Sequence, residues 1–336
     1  MTLPILWFII IAVLISAYYV LDGFDLGAGI LSPFVAKTPG EKRALMTSIG
    51  PVWDGNEVWL LTAGGALFAA FAPAYATVFS GFYLAIMLVL FGLIIRAVSL
   101  EFRAHDPKWQ KFWVVCFFVG SLVPALLFGV ALGNCLQGVP LDAAGNYIGS
   151  FFGLLTPFPL LCGLLGLSTI ILQGACWLAA KIEEGTDLHK RAVTARVVMQ
   201  VVTAVLVVAV SIMFFNFVGF PPGEAPALPF LVLVGCLLVA AIVVGFLAAG
   251  RNRNWLAFGA NSVVCVALVF ALVLAMFPNL VVSTGPGPSI DLFTAAASTY
   301  GLTLMTIIAC IGVPLVAIYH VIIYRTFRGT IKVEED

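Results

Sequence analysis

Long apolar runs of helical length, separated by short polar connections, dominate this chain from end to end. A helix needs about 20 consecutive apolar residues to cross the hydrocarbon core of a bilayer. On that basis the pattern predicts nine spans: Leu3–Leu31, Gly50–Phe71, Ala76–Leu100, Trp113–Asn134, Ser150–Ala180, Ala192–Val218, Ala227–Gly250, Trp255–Phe277 and Tyr300–Tyr324. The second run starts on polar residues, and the turn predicted after it is only Ala72–Tyr75. Proline and glycine punctuate most breaks, as in Phe71-Ala72-Pro73 and Gly219-Phe220-Pro221-Pro222. The predicted fold class is all-α, a polytopic membrane protein with nine transmembrane helices.

Composition removes the soluble alternative. Of 336 residues, 62% are hydrophobic and 10% charged, whereas a typical soluble domain has about 45–50% apolar and about 25% charged residues. The excess must face lipid as well as a protein core. A formal net charge of zero gives no reason to expect nucleic acid as a partner. No basic leader precedes the first apolar run, no small-residue cleavage site follows, and Asp22 and Asp25 interrupt it, so the first helix is expected to be retained.

The 16 Lys and Arg residues then orient the spans. Lys37, Lys42 and Arg43 follow the first span; Arg96, Arg103, Lys108 and Lys111 lie at or after the end of the third. Lys181, Lys190, Arg191 and Arg196 flank the connection from the fifth to the sixth, Arg251 and Arg253 follow the seventh, and Arg325, Arg328 and Lys332 follow the ninth. The other connections contain none. Positive residues favour the cytoplasmic side, which predicts an N-terminus outside and a C-terminus inside; an even number of spans would scramble the partition.

Most carboxylates fall in connections or the tail, Glu41, Asp142, Glu224 and Asp291 among them, and are expected to be solvated. Four are not: Asp22 and Asp25 in the first span, Asp54 and Glu57 in the second. An acid at a helix centre costs roughly 2.5–3.5 kcal/mol on insertion scales, so such residues usually face a protein interior or water and serve a function. Asp22 and Asp25, three apart, share a helical face with Tyr18, and Asp54 and Glu57 repeat the spacing. About eight residues at 1.5 Å each separate Asp25 from the expected helix exit near Pro33. With Arg96 on the same side, five ionisable groups from three helices are expected to converge. One cation cannot neutralise four carboxylates, so some must be protonated or hydrated, since burial disfavours the charged form. Hydrated acids in a membrane are what a proton path requires. The plainer alternative is an ion-paired knot that fixes helix packing.

Other residue types offer little chemistry. The three histidines, His105, His189 and His320, are read as surface or interfacial, and no two share a span, so no haem-ligand pair is apparent. Seven cysteines lie far apart without a CxxC pair and read as packing residues. Gly23 to Gly27 and Gly129 to Gly133 have the spacing that lets helices approach closely, and packing is the reading given to them. No zinc spacing, phosphate loop or nucleophile elbow is present. The chain reads as a polar pathway that needs a catalytic partner.

Several motifs carry a resemblance. Asp22-Gly23-Phe24-Asp25-Leu26-Gly27 and Trp53-Asp54-Gly55-Asn56-Glu57-Val58-Trp59 resemble the signatures of subunit II of cytochrome bd-type ubiquinol oxidases. Thr62-Ala63-Gly64-Gly65-Ala66-Leu67-Phe68-Ala69-Ala70-Phe71, Phe79-Ser80-Gly81-Phe82-Tyr83 and Gly133-Asn134-Cys135-Leu136-Gln137-Gly138-Val139-Pro140 match as well, with Gln173-Gly174-Ala175 and Met276-Phe277-Pro278 as smaller echoes. The resemblance implies a four-helix bundle in residues 1–134 carrying the acids, a second in 150–277, and a peripheral helix in 300–324. It implies a multi-pass protein of the bacterial inner membrane that binds no haem itself. Haems b and d and quinol oxidation are then expected in a subunit I partner. The complex reduces dioxygen to water with electrons from quinol in an electrogenic, proton-taking reaction. A small single-helix accessory subunit is compatible with the resemblance. Asp25 and Asp54 match positions assigned to a proton channel, with Asp22 and Glu57 beside them; Trp53 and Arg96 match positions near a bound ubiquinone or lipid in some members.

Two departures stand out. Some relatives have Gln where this chain has Glu57, which argues against a required role for it. The connection from Gly219 to Pro226 is short, as in the cyanide-insensitive branch of the family. Two rival readings are a proton-coupled secondary transporter, with Pro124, Pro157, Pro159 and Pro314 as candidate helix breaks, and a structural scaffold without a proton path.

Overall fold

The computed structural model describes residues 2–103, 106–220 and 227–334. His105, Glu224 and the terminal Glu335 and Asp336 lie outside them. Among the described residues, eight helices are long and apolar enough to cross a membrane. They are α1 (Leu3–Val35), α5 (Tyr83–Phe102), α6 (Gln110–Gln137), α7 (Pro157–Lys181), α8 (Asp187–Met213, prolonged by a π-helical turn to Val218), α9 (Leu228–Gly250), α10 (Asn254–Met276) and α11 (Thr299–Thr326). Three shorter helices complete the set: α2 (Pro39–Ile49), α3 (Trp53–Ala70) and α4 (Ala72–Gly81).

Helix α3 occupies the second predicted span but is not among the eight, because Asp54, Asn56 and Glu57 dilute the hydropathy of its first turn. It nevertheless runs from one end of the molecule to the other. Near its start, Asn56 bonds Tyr324 close to the basic C-terminal tail. At its finish, the Ala70 carbonyl accepts from the Ala297 amide at 2.8 Å, beside the connection before α11. The third predicted span is two helices rather than one. The chain breaks at Phe71, where Pro73 sits in the first turn of α4, and again at Phe82 before α5, so the expected turn Ala72–Tyr75 is helical. The first span is longer than expected, with Pro33 inside α1 and the helix ending at Val35.

Helix α1 is the hub, packing on α3, α6, α7 and α10. The crossing with α7 is made by Gly27 and Gly174. A Cβ built on Gly27 would lie 2.8 Å from the Gly174 amide nitrogen, and one on Gly174 would lie 2.7 Å from Gly27 Cα. Glycine is therefore required on both sides, which bears out the packing reading of Gly27. Gly174→Val is expected to lower stability by about 1–3 kcal/mol through overpacking, checked by the thermal midpoint of the purified protein. Across the α7–α10 contact, Gln173 Nε2 donates to Ser262 Oγ at 2.8 Å, and Gln173 Oε1 accepts from Asn261 Nδ2 at 2.7 Å. Buried amides joined this way hold helices together in lipid, where no water offers an alternative partner. All seven cysteines are unbonded, with Cys176 and Cys265 buried.

The basic connections gather at one end. Thr38 and Glu41 form a capping box on α2, the Thr38 hydroxyl accepting from the Glu41 amide at 3.2 Å and the Glu41 carboxylate from the Thr38 amide at 3.1 Å. Glu41 also pairs with Arg191, whose Nε donates to the Val35 carbonyl at 2.6 Å. The expectation that Glu41 is solvated is therefore corrected: it is buried and tied to the start of α8. Arg103 donates to the Lys42 carbonyl at 3.3 Å, Arg196 to Asn254 Oδ1 at 2.7 Å, and Lys181 to the carbonyls of Phe327 and Gly329. The tail adds to the chain after α7, the Ile331 amide donating to the Lys181 carbonyl at 2.8 Å. At the opposite end, a small antiparallel pair, β1 (Asn279–Val281) and β2 (Ile290–Asp291), and the segment from Val139 to Tyr147 form a cap. There Asp142 accepts from the Ala144 and Asn146 amides at 2.9 and 2.8 Å. Those donors hold its carboxyl below the usual range.

Candidate functional site

Four charged side chains from α1, α3 and α5 meet near the basic end. Asp22 and Arg96 are both fully buried, with Arg96 Nη1 2.7 Å from Asp22 Oδ1. The other guanidinium nitrogen, Nη2, pairs with Glu57 Oε1, so a single planar cation bridges two acids from different helices. Gly92, one turn before Arg96, lets α6 approach: a Cβ there would lie 2.9 Å from the ring of Pro124. The third acid, Asp25, is 1% exposed and forms no direct ion pair among the described residues. Its Oδ2 accepts from Asn56 Nδ2 at 2.7 Å, while its Oδ1 is buried without a protein partner. Tyr18 Oη, Asp22 Oδ2 and Arg96 Nε are likewise buried and unmatched.

The spacing of three in each acidic pair places its members on neighbouring parts of one face, yet each goes to a different partner. Asp22 faces Arg96 and Asp25 faces Asn56. Glu57 turns to Arg96, whereas Asp54 is exposed. Of the five groups expected to converge, four are drawn inward together, while Asp54 lies at their edge on the outward side of α3. That side forms an exposed stripe at helical spacing: Asp54, Val58, Leu61, Gly65 and Phe68. An acid in the first turn of a helix also favours the N-terminal end of the macrodipole.

Sequence reasoning missed Asn56 and Tyr324. Asn56 is fully buried and donates to both Asp25 and the Leu21 carbonyl, the latter at 3.3 Å; its Oδ1 accepts from Tyr324 Oη at 2.9 Å. A neutral amide beside two louder acids carried no warning, and Tyr324 is remote in sequence. The expectation that His320 is surface or interfacial is corrected: it is buried, with Trp59 Nε1 3.2 Å from its Nε2, because α11 turns that face towards α3. Among the described residues, no three His, Cys, Asp or Glu side chains are placed to hold a metal ion.

Trp53 and Arg96, matched to a quinone or lipid position, differ in their surroundings. Arg96 commits both terminal nitrogens to carboxylates, and Trp53 is half-buried in the first turn of α3. A cavity of about 470 Å³ is bounded by apolar side chains such as Ile11, Leu26, Phe128 and Leu238, with Tyr18 and Tyr19 in its wall.

The fold and the site define a polytopic helical membrane protein with acids buried near one end. The profile of cytochrome bd terminal oxidase subunit II matches residues 3–327, and the chain belongs to that family. It is 35% identical to the probable cytochrome oxidase subunit 2 of Haemophilus influenzae, covering 97% of this chain and 94% of that one. It is 34% identical to the cytochrome bd-I ubiquinol oxidase subunit 2 of Escherichia coli K12, covering 99% and 96%. The bd oxidase structure from Geobacillus thermodenitrificans shares the fold, with a TM-score of 0.76 at 17% identity over 97% of this chain and 99% of that one. These likenesses do not favour the transporter reading.

Proposed function

We propose that this chain is the haem-free second subunit of a bd-type quinol:dioxygen oxidoreductase. In this reading it supports a haem-bearing subunit I and brings cytoplasmic protons towards it. The E. coli relative is named a ubiquinol oxidase subunit, which supports the same substrate class here, with ubiquinol as electron donor and dioxygen as acceptor. Nine crossings follow if α3 is counted with the eight long helices. The basic end then faces the cytoplasm by the positive-inside rule, and the N-terminus lies outside in a bacterial inner membrane. The two-bundle reading takes α1 to α6 as one bundle and α7 to α10 as the other, joined along α1 and α7, with α11 outside both.

The observation that carries the proton path is Asp25. Arg96 pairs with Asp22 and Glu57, whereas Asp25 is buried with its Oδ1 unbonded and, among the described residues, in no direct ion pair. Buried polar atoms without protein partners take ordered water, and a line of them through Tyr18, Asp22 and Asp25 fits a hydrated route. Asp54, on the exposed stripe of α3, stands where that route would leave this chain. A stripe at membrane depth that combines a carboxylate with Gly65 suits a protein partner better than lipid, which supports subunit I as the partner on this face.

Asp54→Asn is expected to slow quinol-driven oxygen uptake about tenfold, less than the roughly 10²–10⁴ typical of one proton-transfer group, because Asp54 lies at the edge of this chain. Haem content and yield of the complex should stay as in the parent. Unchanged turnover would favour the scaffold reading. Co-purification of a haem-bearing chain, followed by absorption spectroscopy, tests the assignment of partner.

A further inference from the structure

Helix α11 has few buried residues, Leu302 and His320 among them, and looks peripheral. Near the basic end, however, it touches α3 at three points. A Cβ on Gly55 would lie 2.9 Å from the Tyr319 ring, so that ring rests against the bare glycine. Trp59 Nε1 lies 3.2 Å from His320 Nε2. Tyr324 Oη donates to Asn56 Oδ1 at 2.9 Å, and Asn56 Nδ2 donates in turn to Asp25 Oδ2 at 2.7 Å.

The direction of this chain is fixed by chemistry. The Leu21 carbonyl can only accept, so the nitrogen end of Asn56 must face it, and the same end faces Asp25. The oxygen end then needs a donor, because an unsatisfied buried carbonyl is costly; Tyr324 supplies it. An amide does not hand on its protons as water or a hydroxyl does, so the chain from Tyr324 to Asp25 orients without conducting. Tyr324 is itself held by aromatic neighbours, with its ring 6.2 Å from Trp177, 6.5 Å from Phe24 and stacked 6.2 Å from His320.

We propose that Tyr324 and Asn56 are positioning residues for Asp25: helix α11 fixes the amide that anchors Asp25 Oδ2 and so leaves Oδ1 as the oxygen that gains and loses the proton. This rests on the proton-path reading above and adds to it a role for the outermost helix. Without the phenol, Asn56 Oδ1 is buried and unmatched, the amide turns to find a donor, and Asp25 loses its anchor.

The test uses the intact complex carrying Tyr324→Phe, Asn56→Ala, both together, or Asp25→Asn. Tyr324→Phe is expected to lower oxygen uptake at saturating quinol about two- to tenfold, the rate equivalent of one hydrogen bond. The KM for quinol and the haem spectrum should be unchanged. In infrared difference spectra, the carboxyl carbonyl band that vanishes in Asp25→Asn should persist in Tyr324→Phe but move to higher wavenumber, as expected for a carbonyl that has lost a donor. Asn56→Ala should do both, and adding Tyr324→Phe to it should change nothing further, since Tyr324 acts through Asn56. Slow Asp25→Asn together with parental rate and band in Tyr324→Phe would overturn the role of α11 alone. Independent, multiplying effects of the two changes would overturn it as well. Parental turnover in Asp25→Asn would overturn the proton path, and this role with it.

Discussion

Asp25→Asn should lower quinol-driven oxygen uptake by about a hundredfold while the complex assembles with its haems. Proton-transfer groups typically contribute about 10²–10⁴ to a rate, and a hundredfold corresponds to about 2.7 kcal/mol in the barrier. Asparagine has nearly the shape of aspartate, so the packing of α1 should survive; what it lacks is an oxygen that can gain and lose a proton. The effect should exceed that of Asp54→Asn because Asp25 is 1% exposed and walled in by this chain alone, whereas Asp54 lies on its surface, where groups of a neighbouring subunit can share the proton. Electron delivery should be spared: quinol should still reduce the haems in a rapid-mixing experiment, and the block should appear at the first step that consumes a proton. A variant that turns over as fast as the parent would remove the central residue of the path.

The long spans were legible because an uninterrupted apolar run has few outcomes other than a membrane helix. Their ends were less so. The break at Phe82 splits one hydrophobic run that contains no charge, and Gly81 was a weak signal; there a Cβ would lie 2.8 Å from Tyr147 Cβ, a contact with a distant loop. Helix α2 could have been found: Thr38-Pro39-Gly40-Glu41 is a capping box with proline in the first turn. The acids themselves were legible as charges in the wrong solvent, and Arg96 as their cation. Which acid takes that cation was not. Asp22 and Asp25 differ by three positions on one face, and their different fates depend on where α3 and α5 lie against α1. The same holds for Asn56, whose importance comes from Tyr324, 268 residues away. Period and spacing describe one helix at a time; a site made by three helices is settled by packing.

Arg96 should be the residue whose loss damages the subunit most. Its guanidinium is fully buried between Asp22 and Glu57, so Arg96→Leu would leave two acids in a low-dielectric interior without their cation. Removing one partner of a buried ion pair costs about 3–5 kcal/mol, a large share of the roughly 5–15 kcal/mol that holds a domain together. The expected result is little or no recoverable complex, read as haem absorbance in membranes and as the melting midpoint of any material that survives. Arg96→Lys should fall between, because a single ammonium cannot bridge two carboxylates as a planar fork does. The charge argument gives a sharper test than loss of protein. Asp22→Asn with Glu57→Gln in the Arg96→Leu background removes the stranded charges along with the cation, and should recover part of the lost assembly, since replacing a whole buried ion cluster with neutral groups is far less costly than breaking it. If the single variant accumulates and melts like the parent, or if the triple variant is no better than Arg96→Leu alone, electrostatics does not hold α1, α3 and α5 together, and shape alone must.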